Sequence, residues 1–222
     1  MENLPTYVSL VFILTTLLTI FLFYLATQRS TVSLGILFAW LAFQGVLAAT
    51  GFYTVTDTIP PRFLLLVGPP LLLLIALFMF SKGRQFLDSL NIKTLTLLHI
   101  IRIPVEIVLF WLFVHKGVPQ LMTFEGRNFD ILSGISAPLI YYFGFVKNRI
   151  DKKILILWNL ICLTLLFNIV LNAALSVPSA FQKFAFDQPN TAILYFPFVW
   201  LPCCVVPLVL LSHLAALRQL RK

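Results

Sequence analysis

Residues 95–114 read LTLLHIIRIPVEIVLFWLFV. A run of 20 residues in which only His99, Arg102 and Glu106 are ionisable can cross a bilayer, since about 20 apolar residues span about 30 Å of hydrocarbon. At about 100° per residue the three polar side chains fall in a stripe about 60° wide, so they share one face. An unpaired charge near the middle of a bilayer costs about 3 kcal/mol or more, and that face must turn toward other helices. The run predicts an apolar helix inside a bundle, with a polar stripe pointing inward.

The rest of the chain supplies the bundle. Its 222 residues are 60% hydrophobic, 14% aromatic and only 11% charged, and the mean hydropathy is +0.97. Soluble domains carry about 45–50% apolar and about 25% charged residues, so too little polar surface remains here to cover a water-soluble core. With 9 Gly and 3 Cys, collagen and disulfide scaffolds are excluded too. Six further apolar runs lie at 7–26, 33–53, 63–80, 131–146, 154–174 and 191–217. They are continuous where barrel strands would alternate, which predicts helices. The run 131–146 is short and reaches across only if Asp130 and Lys147 snorkel. The expected fold is an all-α integral membrane protein, a single seven-helix bundle over residues 1–222. Pro69, Pro70, Pro104, Pro138, Pro197, Pro202 and Pro207 should kink its helices and free carbonyls into the interior.

Basic residues give the orientation. Arg29, Lys82, Arg84, Lys93, Lys147, Arg149, Lys152, Lys153, Arg218, Arg221 and Lys222, eleven in all, fall on one side of the seven spans. Only Arg62, Lys116, Arg127 and Lys183 fall on the other. Cytoplasmic loops retain Lys and Arg, which places the amino terminus outside and the carboxyl terminus inside, in a cell inner (plasma) membrane. The net charge of +8 then serves topology and contact with anionic lipids; no nucleic-acid partner is expected. Residues 1–6 contain Glu2 and no Lys or Arg, so the first run reads as a retained helix and not a secretory leader. Cys162, Cys203 and Cys204 lie in spans without disulfide or metal spacing and read as packing residues. His99 and His213 sit at similar depth, but two histidines without a further ligand make a weak metal or haem site, so no cofactor is expected. His213 is expected near the headgroups.

The spacing of four from Arg102 to Glu106 lets guanidinium and carboxylate meet on the helix surface. Such a pair is either a structural tie or, with His99, Tyr141, Asn168 and Asn172, part of a substrate or proton path. Asn168 and Asn172 share a face and also suit interhelical hydrogen bonding. Asp130, Ser133, Gly134, Ala137, Tyr141 and Gly144 form a small-residue stripe that predicts a close helix contact. Glu125, Arg127 and Asp130 cluster just outside it. Asp130 there is either an ordinary helix cap, or one of three residues forming an outer-face site. The loops 115–130 and 176–190 are partly apolar, through Met122, Phe124, Phe181 and Phe186 among others, and should lie in the membrane interface or fold back over the bundle mouth.

Seven spans with an outer amino terminus resemble microbial rhodopsins, but 191–217 has no lysine to hold retinal. The topology is also similar to that of small sugar facilitators; their Pro-Gln signature belongs in a helix, whereas Pro119 and Gln120 lie in a loop. Ceramidase-like hydrolases rely on several histidines, and only His99 and His213 are in spans. The leading expectation is a transporter or permease-like binder of a small polar or anionic solute, coupled to protons. A membrane-embedded enzyme acting on a lipid or isoprenoid at the outer leaflet, and a non-catalytic assembly or sensory subunit, are the alternatives. Expected partners are membrane lipids and a small polar solute; the oligomeric state is not legible.

Overall fold

The computed structural model describes residues 4–222; Glu2 lies outside the described residues. In chain order the α-helices are α1 (Thr6–Ala26), α2 (Thr31–Ala49), α3 (Leu64–Met79), α4 (Ser81–Ser89), α5 (Ile92–Leu98), α6 (Arg102–Val114), α7 (Ile131–Tyr141), α8 (Lys152–Ala174) and α9 (Val206–Arg221). No strand occurs among the described residues. A 3-10 turn at His99–Ile101 joins α5 to α6. It falls where Pro104 withholds the donor that Ile100 O would otherwise receive. A π-helical turn at Tyr142–Val146 extends α7, and another at Leu201–Val205 opens α9.

By length and composition five stretches suffice to cross a membrane: Thr6–Ala26, Thr31–Ala49, Ile92–Val114, Lys152–Ala174 and Leu201–Arg221. The pair α3 and α4, bent by 96°, passes the same test only when taken together as one broken span, which gives five to six candidates. Of the seven expected runs, 131–146 forms the shorter apolar helix Ile131–Val146. The run 191–217 becomes continuously helical only from Leu201 and continues to Arg221. Pro197 lacks the donor a helix would use, and residues 191–200 form a short 3-10 turn at Ala192–Leu194 and further turns instead. Pro202, in the first helical turn, needs no donor there.

Ile92–Val114 occupies the centre, packed against α1, α7 and α9, and α9 packs in turn on α4, α5 and α8. Leu201–Arg221 is the most buried of the five long stretches and α2 the least. Outward faces carry large apolar side chains, such as Val32, Ile36 and Val46 on α2 and Leu157, Ile161 and Phe167 on α8. A monomer in water rarely exposes apolar surface on this scale; hydrocarbon is its natural solvent. Several buried hydroxyls are satisfied within their own helix. The buried Thr16 and Thr19 hydroxyls donate to carbonyls one turn back, Phe12 O at 3.0 Å and Thr15 O at 2.8 Å. Prolines free two carbonyls that neighbouring helices use. Cys203 O, four residues before Pro207, accepts from Trp40 Nε1 at 2.9 Å, and Leu65 O, four before Pro69, accepts from Gln44 Nε2 at 3.5 Å.

At one end of the bundle the loops 115–130 and 176–190 are tied together. Gly117 O accepts from Thr191 N and Ala192 N at 3.1 and 2.8 Å, and Gln188 Nε2 donates to Val118 O at 2.6 Å. At the other end α4 turns away from α3. Arg84 Nη1 donates to Met79 O at 2.7 Å, completing the carbonyl end of α3. Asp88 accepts from Arg218 Nε at 2.8 Å and from Lys222, fastening α4 to the end of α9.

Candidate functional site

The polar stripe is buried as its spacing predicts: His99, Arg102 and Glu106 are each no more than 2% exposed. Arg102, the eleventh of the 23 residues in Ile92–Val114, lies near the middle of that stretch. Its partner is not Glu106. Arg102 Nη1 donates to Asp130 Oδ1 at 2.6 Å and reaches Cys162 O at 3.5 Å, while Nη2 points to His213 Nε2 at 2.9 Å. Gly134 makes this reach natural. A Cβ there would stand 2.9 Å from Ile103 Cγ1 and 3.1 Å from Ile103 N, so only glycine lets α7 approach closely enough to set Asp130 over Arg102.

A guanidinium has no acceptor, so His213 Nε2 accepts and His213 Nδ1 carries the proton. That proton goes to Asn159 Oδ1 at 2.9 Å, and Asn159 Nδ2 donates on to Leu155 O at 2.9 Å. Every role along the chain from Arg102 to Leu155 is thereby assigned, with His213 a neutral Nδ1–H tautomer. The His99 ring lies flat on His213, centroids 3.8 Å apart and planes 15° from parallel. Trp158 closes the side of the pair, its ring 5.6 Å from His99 and its Nε1 donating to Ser136 Oγ at 2.9 Å. His213 is fully buried, on a helix that runs on to Arg221, four residues past the expected end. Both nitrogens of His213 are engaged and the two rings face each other, so the pair does not aim lone pairs at a common ion. Among the described residues no three His, Cys, Asp or Glu side chains form a ligand group.

Glu106 is held by a residue that reads in the sequence as loop. Asn128 Nδ2 donates to Glu106 Oε1 at 2.6 Å and to Met122 O at 3.0 Å, and Asn128 Oδ1 accepts from Asp130 N at 3.0 Å. One buried amide therefore positions both carboxylates. Glu106 Oε2 has no protein partner, nor do Arg102 Nε, His99 Nδ1 and Ser133 Oγ, although all four atoms are buried. Beside Glu106 a cavity of about 120 Å³ opens among α6, α8 and the start of Leu201–Arg221. Val105, Leu109, Leu166, Ile169 and Pro202 line it together with other apolar residues, and its two polar wall residues are Glu106 and Asp130.

The other expected site residues separate. Asp130 makes no capping hydrogen bond to α7; its carboxylate turns inward to Arg102. Glu125 and Arg127 stay exposed, with the Arg127 guanidinium 5.9 Å above the Phe184 ring, so the three do not converge as an outer-face site. Asn168 Nδ2 donates to Arg127 O at 2.8 Å, and Asn172 Nδ2 donates to Asn168 Oδ1 at 3.1 Å and to Asn168 O at 2.9 Å, pinning the 115–130 loop to α8. Tyr141 is half-buried and enters none of the cluster's hydrogen bonds. Asn128 and the burial of Asp130 are what sequence reasoning missed. The brevity of 131–146 was the available signal, because a helix too short to reach both faces starts below one of them.

These features define an all-helical membrane protein with a buried polar cluster at mid-bundle. Residues 59–221 match the domain of unknown function DUF8737, nearly three quarters of the chain, and the chain belongs to that family. No curated protein and no solved structure matches it.

Proposed function

We propose that this chain is a permease-like carrier in the plasma membrane, exchanging protons for a small solute that bears a cationic or hydrogen-bond-donating group. The reading takes seven crossings with the amino terminus outside. Eleven against four basic residues support that orientation, and in this reading α4, bent by 96° from α3, would carry Lys82 and Arg84 on the inner side. Ile131–Val146 is then a short crossing that begins at the buried Asp130.

The observation that carries the reading is Glu106, 2% exposed, with one oxygen held by Asn128 and the other free beside an apolar cavity. A buried carboxyl oxygen without a partner is satisfied by a proton or by a cationic or donating group of a solute, and competition between the two would couple solute entry to proton release. Arg102, expected from sequence to attract an anion, is engaged by Asp130 and His213, and the polar wall of the cavity is carboxylate. A cationic solute fits this wall better than an anionic one.

The test is proton release from proteoliposomes loaded with a pH-sensitive dye, driven by external tetramethylammonium. Wild-type protein is expected to release protons in a saturable, pH-dependent manner and Glu106→Gln to release none. Equal release by both proteins overturns the proposal.

A further inference from the structure

The cavity at Glu106 adjoins a larger one. A groove of about 450 Å³ runs between α3 and α8, lined by Leu71, Leu163, Phe167, Pro207 and Leu210 among others. It shares Val67, Leu166, Val170, Pro202 and Val206 with the inner cavity, so the two lie side by side, parted only by side chains that line both. At its outer end Leu71 is 39% and Phe167 68% exposed, on faces that meet lipid. At the inner end of the pair stand Glu106 and Asp130. The wall between is apolar apart from Thr164, whose hydroxyl already donates to Leu160 O at 3.0 Å.

A path through both suits no water-soluble molecule along its length. Apolar walls offer nothing to a hydrated ion, whereas each methylene of a hydrocarbon chain stays in surroundings like those it left in the bilayer. The inner end poses the opposite demand. Glu106 Oε2 is buried without a partner, and a buried acceptor of this kind is satisfied by a donor or a positive charge. The length of this path and its end group therefore describe a single molecule with two parts.

We infer that the ligand of this site is a single-chain amphiphile with a cationic head, entering sideways from the bilayer between α3 and α8 until the head meets Glu106. The inference rests on the carrier reading for its site and adds the class of ligand and the route. The chain of the ligand lies along Leu71, Phe167 and Val170, and its head displaces the proton of Glu106. Pro202, in the π-wound turn Leu201–Val205, lines both cavities, and Pro207, one turn on in α9, lines the outer one.

The experiment measures thermal stabilisation of the full chain in nanodiscs by hexadecyltrimethylammonium, hexadecanoate and tetramethylammonium. The inference expects a saturable rise in Tm with hexadecyltrimethylammonium at concentrations at least tenfold below those needed for the other two. Leu71→Trp, at the groove mouth, weakens that binding at least tenfold. Leu72→Trp, on the same helix but outside the groove and 67% exposed, leaves it unchanged. Glu106→Gln removes the preference for the cation over hexadecanoate.

If tetramethylammonium binds as tightly as the long-chain cation and Leu71→Trp has no effect, the lateral route is overturned while the carrier reading stands. Preference for hexadecanoate, or binding of the long-chain cation unaltered by Glu106→Gln, overturns the cationic head. If neither cation stabilises the protein and Glu106→Gln has wild-type proton release, both readings fall together.

Discussion

Arg102 reaches across to Asp130, 28 residues further along the chain, at 2.6 Å, although Glu106 stands one turn away on its own helix. The choice frees Glu106 for the cavity and makes the ion pair an interhelical tie between Ile92–Val114 and α7. Removing one partner of a buried pair leaves the other charge stranded, at a typical cost of about 3–5 kcal/mol. Asp130→Ala should lower stability by about that much, whereas Arg102→Leu combined with Asp130→Leu should recover most of the loss. Thermal unfolding of the detergent-purified proteins, followed by circular dichroism, measures both.

Asn128 is the hinge pin between the two carboxylates. Asn128→Ala strips Glu106 Oε1 of its donor and Asp130 N of its acceptor, and each buried group left unpaired costs about 1–3 kcal/mol. Asn128→Asp should be worse, since it adds a third carboxylate where Glu106 needs a donor. Chemical denaturation in mixed micelles should rank wild type, Asn128→Ala and Asn128→Asp in falling order.

Two glycines should respond in opposite directions. Gly134→Ala drives a methyl into Ile103 and should destabilise by about 1–3 kcal/mol, as overpacking does. Gly35, inside α2, has nothing within 4 Å of its added Cβ, and Gly35→Ala should stabilise by about 0.5–1 kcal/mol through helix propensity. Paired thermal melts of the two variants check the signs.

The fastening of α4 should fail in acid. The hydrogen bond from Arg218, with Lys222 beside it, holds the Asp88 carboxyl at about 2, below its ordinary 3.8. A carboxyl lowered on folding contributes stability that is present above the ordinary value and is lost as pH falls through about 2. Asp88 is exposed, so raised salt should weaken the contact as well. Protection of the α4 amides from hydrogen exchange should fall between pH 4 and pH 2 in wild type, and Asp88→Asn should lack that step.

The helical, membrane-embedded class was legible from hydropathy, because continuous apolar runs admit few other structures. So was the burial of His99, Arg102 and Glu106, which follows from helical spacing and the cost of charge in lipid. Partner choice was not. A spacing of four permits Arg102 to meet Glu106, but the close approach of α7 at Gly134 brings a second carboxylate, and tertiary geometry outranks local proximity. Nor was the contact of His213 with Arg102, which depends on how the last helix, delayed by Pro197 and ending at Arg221, packs on the central one. Asn128 resembled loop filler until the short helix after it placed the loop's end deep in the bundle.

The family likeness begins at residue 59, beyond α1 and α2. Yet α1 covers the flank of Ile92–Val114 with Val8, Phe12 and Ile20, each at most 1% exposed, and Ala26 O accepts from Asn91 N at 2.9 Å. The border of sequence kinship thus cuts through a shared interior. A fragment trimmed to that border would bare the flank of its own middle helix, so the matched segment is shorter than the unit that packs together.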